Sequence, residues 1–301
     1  MLRLHGVIPA LTTPFREDRS LDLDGFRRLV ELVIADGVHG LLVNGCTGES
    51  WALNDDERAQ VFAAAVKQAA GRLPVIVGCG AMIAKKAIAK VRQAERAGCD
   101  AVMIQPPSYV MPSEDEVRDY YLEIVRATSL PVVVYNIPRR TGIHLSVALV
   151  ERLADEPNVL ALKESSKDFL VLSEMIRRLG DRVAVFAGYA ALLGMAAIAE
   201  GAVGYMDSTT PVIGARSVEF FDAARSGNLA RARVLQAEMV RLNAGFFGVG
   251  TFPAGVKAAL DLLGRPGGYT RDPIKPLDGP ARAKIRGVLE EIGLLPSAVR
   301  V

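Results

Sequence analysis

Lys163 ends the apolar run Val159-Leu160-Ala161-Leu162. Alternate strand residues share a face, so Lys163 lies on the side of Val159 and Ala161. A small residue at 161 suits a crowded interior, which points the amine inward. Taking an ammonium out of water lowers its pKa, and a neutral amine adds to ketones to give a Schiff base. The plainer alternative is a strand-end lysine paired with Glu164 or Glu49. Tyr135 closes the preceding run, P-V-V-V-Y-N. Its phenol could carry protons to and from a carbinolamine, or it could simply fill space at a rim. The turn N-G-C-T-G-E-S (44–50) combines glycines, hydroxyls and backbone N–H groups in a shape that can cradle a small carboxylate, with Glu49 ordering the loop. Arg139 and Arg140 follow the Tyr135 run, where a guanidinium could clamp a second carboxylate; the alternative is a pair of surface arginines, and at most one of the two is expected to face the site. Lys85, Lys86, Lys90 and Lys167 fall on helical stretches and are expected in solvent.

These residues need a scaffold, and the sequence repeats two textures. Short runs rich in Val and Ile (5–11, 39–45, 74–80, 101–107, 131–136, 159–165, 183–188 and 202–208) read as parallel strands buried on both faces. Between them lie stretches of helical period. In 22–37 the residues Leu23, Phe26, Leu29, Val30, Val33 and Ile34 form one stripe, with Asp22 or Asp24 as cap and Gly37 as stop. Segments 55–70, 82–97, 113–127, 146–154, 167–179 and 190–199 repeat the pattern. Eight strand–helix units predict an α/β fold, a (β/α)8 barrel over residues 1–226, with chemistry at the carboxyl ends of the strands. Residues 227–301 contain no strand pattern and read as a helical extension, with helices near 229–245, 254–263 and 281–293.

Composition narrows the function. The chain has 301 residues, 50% of them hydrophobic, and a formal net charge of +2, which excludes disorder and gives no case for nucleic acid or an acidic membrane. No apolar stretch suits a spanning helix, and Pro9 and Pro14 interrupt the N-terminal run, so a cytoplasmic protein that is not exported is expected. Three scattered cysteines (Cys46, Cys79, Cys99) and three histidines (His5, His39, His144) make no metal or disulfide pattern. G-C-G-A-M-I (78–83) follows a strand, but Ile83 replaces the third glycine of a dinucleotide fingerprint, and Gln105 stands where an acidic ribose ligand belongs. A nucleotide-dependent oxidoreductase on an open sheet is therefore the weaker alternative. A barrel that binds a keto acid without turning it over is another.

N-G-C-T-G-E-S, Y-N-I-P-R-R-T-G and L-K-E-S-S, in this order, resemble the dihydrodipicolinate synthase/N-acetylneuraminate lyase family, and the likeness runs from G-V-I-P-A-L-T-T-P-F to the helical C-terminus. The resemblance implies a lyase without metal or cofactor that forms a lysine imine with pyruvate or another 2-keto acid. It also implies a homotetramer, a dimer of dimers, with a place in lysine biosynthesis. Lys163 matches the imine-forming lysine and Tyr135 the acid/base tyrosine beside it. Thr47, with the loop amides around Gly48, matches the group that binds the pyruvate carboxylate. Tyr109 matches a tyrosine that, in the synthases, enters the neighbouring subunit's site, and Arg140 the arginine that meets the carboxylate of the aldehyde substrate. Three places depart from the synthase pattern: Cys46 stands where a threonine links the two tyrosines, Gly188-Tyr189-Ala190 replaces Gly-Asp-Asp, and Asp207-Ser208-Thr209-Thr210 differs from the usual run after strand eight. The expected reaction is condensation of pyruvate with aspartate semialdehyde. Cleavage or dehydration of a 2-keto-3-deoxy sugar acid or a 4-hydroxy-2-keto acid is the rival that Cys46 and Tyr189 favour.

Overall fold

The computed structural model describes residues 2–296. Eight short strands form one parallel sheet: β1 (Gly6–Pro9), β2 (Leu41–Val43), β3 (Val75–Gly78), β4 (Ala101–Ile104), β5 (Val132–Asn136), β6 (Val159–Glu164), β7 (Ala184–Ala187) and β8 (Gly204–Asp207). Their spatial order is β1-β8-β7-β6-β5-β4-β3-β2. The two ends of that order meet at a parallel bridge between Ala10 and Leu42, where the Leu11 N–H also donates to the Leu42 carbonyl at 2.9 Å. The result is a (β/α)8 barrel followed by C-terminal helices.

Side-chain alternation divides the apolar residues into two clusters. Ile8, Leu42, Ile76, Ala101, Met103, Val133, Tyr135, Ala161, Phe186 and Met206 fill the inside of the ring. The other face of each strand packs under the helices, as Val7, Val43, Val77, Val102, Val134, Leu162 and Tyr205 do. Both faces of a strand are thus apolar, which is why each strand appears as an unbroken apolar run.

The helices start and stop where local chemistry dictates. Asp22, rather than Asp24, caps Leu23–Ala35 by accepting from the Gly25 N–H at 3.0 Å, and the helix buries Phe26, Leu29, Val30 and Val33. Reciprocal caps between Asn54 and Glu57 and between Ser113 and Glu116 begin Asp55–Ala69 and Glu114–Arg126. Gly98 ends Ala84–Ala97 in the left-handed region at φ 77. Two one-turn helices that the sequence pattern did not announce, Pro138–Thr141 and Thr210–Ile213, follow β5 and β8. The C-terminal helices Leu229–Phe247, Ala254–Leu262 and Gly279–Glu291 place Leu235, Met239, Val256, Leu260 and Leu289 in the same outer apolar cluster as the barrel helices. Among the described residues, no helix is long and apolar enough to cross a membrane.

Candidate active site

Tyr135 and Lys163 are register partners on neighbouring strands, so the pairing of β5 with β6 sets their side chains side by side inside the ring. The Lys163 Nζ lies 4.5 Å from the centre of the Tyr135 ring. Both are nearly inaccessible, at 5% and 6% exposure. Burial pulls the Lys163 amine down to about 8, with Cys46 and Asp207 opposing the fall. Burial, with Cys46 and Tyr189 adding to it, pushes the Tyr135 phenol well above its ordinary value. At neutral pH the pair is therefore a partly neutral amine beside a protonated phenol, as imine formation with proton transfer requires.

Glu49 and Glu164, the carboxylates that could have made Lys163 a structural ion pair, are occupied elsewhere. Glu49 pairs with Lys257. Glu164 points to the outer side of β6, where it accepts from Asn136 Nδ2 at 2.6 Å and from the Ser166 N–H at 2.5 Å.

The pair opens into two adjoining cavities. The smaller, about 40 Å³, is lined by Thr47, Tyr135, Arg139, Lys163, Ser165 and Tyr189 among others. The larger, about 250 Å³, extends over β2 to β5 past Asn44, Trp51, Gly80, Gln105 and Ser108. Cys46, Tyr135, Ile137 and Arg140 border both.

The 44–50 turn lies at the junction and is internally bonded. The N–H groups of Gly48 and Ser50 donate to the Gly45 carbonyl at 3.1 and 3.3 Å, and that of Glu49 to the Cys46 carbonyl at 3.3 Å. Gly48 thus spends its amide on the turn itself. Its carbonyl accepts from Thr13 Oγ1 at 2.8 Å, and a side chain there would crowd Asn44 and Leu11. Thr47, buried and on the cavity wall, is the residue of the turn best placed to meet a carboxylate. Burial pushes the Cys46 thiol up, so it stands as a neutral group between the cavities.

Three sequence expectations need correction. Both Arg139 and Arg140 line the smaller cavity, because the one-turn helix Pro138–Thr141 fans consecutive side chains around the rim instead of sending them to opposite faces. The Arg140 guanidinium sits 5.6 Å from the centre of the Phe252 ring. Lys90 is not free in solvent: its Nζ donates to the Gly80 carbonyl at 3.0 Å, and burial lowers its pKa. Lys167 lies in the loop after β6 with φ 71, not on a helix; it is exposed, as expected, with its Nζ 4.6 Å over the Tyr189 ring. Tyr109 is 90% exposed and borders neither cavity of its own chain.

Other residues at the site escaped the sequence reading. Gly78 lets β3 pass the turn: the Asn44 side chain donates to its carbonyl at 2.7 Å, and an added Cβ would overlap the Asn44 carbonyl. Phe252, on the wall of the smaller cavity, comes from the C-terminal region, as does Lys257, which lines neither cavity and pairs with Glu49 of the turn. A lone lysine within the apolar segment A-G-V-K-A-A-L was the available signal for Lys257.

The dihydrodipicolinate synthetase family model matches residues 3–292. The chain belongs to that family. Membership makes it an enzyme of a lyase family, as does its likeness to named relatives. The 4-hydroxy-tetrahydrodipicolinate synthase of Sorangium cellulosum (strain So ce56) is 39% identical over 293 residues, covering 97% of each protein. An uncharacterized DapA-like lyase of Rhizobium meliloti is 36% identical over 296 residues, again covering 97% of each. Dihydrodipicolinate synthase from Bacillus anthracis shares the fold with a TM-score of 0.93 at 31% identity, over 99% of this chain and 100% of that one.

Proposed function

We propose that this member of the dihydrodipicolinate synthetase family forms an imine between Lys163 and pyruvate and condenses it with aspartate semialdehyde, the 4-hydroxy-tetrahydrodipicolinate synthase reaction. The observation that carries the reading is the buried, pKa-lowered Lys163 amine 4.5 Å from the Tyr135 ring in a cavity that also holds Thr47 and two arginines. The relatives' name, 4-hydroxy-tetrahydrodipicolinate synthase, supports the product of this reaction, while aspartate semialdehyde and the place in lysine biosynthesis come from the family resemblance of the motifs.

In this reading Thr47 and the turn hold the pyruvate carboxylate while the Lys163 Nζ adds to C2. Tyr135 supplies the proton that lets the carbinolamine hydroxyl leave as water, and the C2=N bond forms. The Tyr135 phenolate left by that step takes a methyl proton, giving an enamine whose carbon attacks the aldehyde carbon while Tyr135 returns the proton to the aldehyde oxygen. The substrate's own neutral amine then adds to the imine carbon and passes one proton to the Lys163 nitrogen; the bond from C2 to that nitrogen breaks, releasing Lys163 as the free amine, and the ring nitrogen gives its last proton to Tyr135, leaving a C=N bond in the ring. Arg140, with Arg139 beside it, meets the second carboxylate at the rim.

Reductive trapping with pyruvate and borohydride tests the first half, with one saturated adduct expected on Lys163. Turnover of aspartate semialdehyde against a panel of keto-deoxy acids tests the second. Tyr189 and Cys46 on the cavity walls favour a second reading, in which the same imine cleaves or dehydrates a 2-keto-3-deoxy sugar acid. Faster turnover of such an acid would select it. A barrel that only binds keto acids predicts trapping without turnover of any aldehyde or keto-deoxy acid. We also assign the chain to a cytoplasmic homotetramer, in which the exposed Tyr109 reaches a neighbouring subunit; sedimentation and the activity of Tyr109→Phe test that assembly.

A further inference from the structure

Glu49 and Lys257 are the least accessible ion pair among the described residues, with side chains 0% and 2% exposed. The pair joins the turn after β2 to the helix Ala254–Leu262. Each partner is held from a second side. Lys257 Nζ donates to the Tyr269 carbonyl at 2.6 Å and lies 4.5 Å from the centre of the Phe15 ring. Glu49 Oε2 accepts from the Arg271 N–H at 2.9 Å. Arg271 in turn stands 4.1 Å over that same Phe15 ring and donates to the Ala52 carbonyl at 2.8 Å and to Glu57.

A buried ion pair is a poor source of stability, since apolar side chains of the same volume usually fill such a space as well or better. What a carboxylate held by a buried ion pair on one oxygen and an N–H donor on the other does provide is direction. Glu49 has a left-handed backbone at φ 51, which costs energy for a residue with a side chain, and it follows Thr47 by two positions in the tightest part of the turn. Anchoring its carboxylate therefore fixes where the Thr47 hydroxyl and backbone stand relative to Lys163.

We propose that Lys257 is a positioning residue for the substrate carboxylate: through Glu49 it sets the 44–50 turn that presents Thr47 to the cavity around Lys163. The inference rests on the reading of that turn as the carboxylate holder, and it makes the C-terminal helices part of the binding apparatus.

The test uses the full chain carrying Lys257→Met, Glu49→Gln, or both. The double variant removes both charges and keeps much of the shape, so it remains informative if a lone buried charge unfolds the singles. Borohydride trapping at Lys163 is measured against ketone concentration for pyruvate and for methyl pyruvate, which lacks the free carboxylate. The half-saturating pyruvate concentration is expected to rise about 10- to 100-fold, the usual weight of hydrogen bonds to a charged group, with trapping of the ester changed less than about threefold. A folded double variant with unchanged pyruvate saturation overturns the proposal, and so do equal losses for both ketones, which would mark a merely structural pair. If the wild-type chain traps neither ketone, the proposed function falls. Amide exchange over residues 46–50 then decides the pair's role: faster exchange than in the barrel strands of the same variant supports positioning, and unchanged exchange overturns it.

Discussion

The Lys163 amine makes a quantitative demand on pH. A lysine in water titrates near 10.5, and burial brings this one to about 8. At pH 7 about one-tenth of the amine is then neutral, against about one part in 3000 for an unperturbed lysine, a gain of roughly 300-fold in the reacting form. Because the folded pKa is lowered, the neutral form is lost as pH falls below about 8, so the rate of imine formation should drop about tenfold per unit there and level off above it. The assay is the second-order rate of pyruvate trapping by cyanoborohydride from pH 6 to 10, at pyruvate well below saturation. Pyruvate stays ionised across this range, and burial keeps the Tyr135 phenol and Cys46 thiol protonated through the bend; burial also lowers Lys257 to about 8, so the bend is assigned to Lys163 by its persistence in the Lys257→Met/Glu49→Gln double variant. A tenfold rise per unit continuing to pH 10 would show an ordinary solvated lysine and refute the reasoning.

Other outcomes follow from the same geometry. Lys163→Met should stabilise the fold at pH 7 by on the order of 3 kcal/mol, since a charged amine destabilises the folded state below about pH 8; the advantage should vanish between about pH 8 and 10.5, as denaturant titrations at several pH values can show. Tyr135→Phe should slow trapping by about 10²- to 10⁴-fold with little change in thermal stability, because it deletes the proposed proton carrier and keeps the ring. Arg140→Ala should leave the pyruvate adduct intact and weaken an acidic second substrate by about 2 kcal/mol, the low end for a broken charge pair because this guanidinium is exposed. Unchanged kinetics with every acidic acceptor would remove Arg140 from the site. Gly78→Ala should cost about 1–3 kcal/mol in unfolding experiments and impair trapping, since its methyl has no room beside the Asn44 carbonyl.

The barrel was legible because strands buried on both faces leave unbroken apolar runs, and the direction of Lys163 was legible because Ala161 shares its face. Local rules also narrowed the first helix cap to Asp22 or Asp24, of which Asp22 is the one used. Illegible were arrangements that depend on a turn's exact winding or on distant segments. That Arg139 and Arg140 both border the cavity follows from one helical turn at 138–141, too short to have a period. Lys90 reads as a surface lysine until α-helix packing carries its stem over Gly80. Glu49 was read as ordering its loop, but its partner lies in the C-terminal region, and no spacing rule connects them.

The cylinder is not equally strong all the way round. Five register pairs join β5 to β6, beneath the amine and phenol, whereas β1 and β2 meet through one bridge at Ala10 and Leu42. Thermal breathing should part the wall at that seam first, and the turn proposed to hold the substrate carboxylate springs from the end of β2. Under mild denaturation a chain working as proposed should accordingly lose its grip on the keto acid while Lys163 is still in place, failing as a receptor before it fails as a reagent.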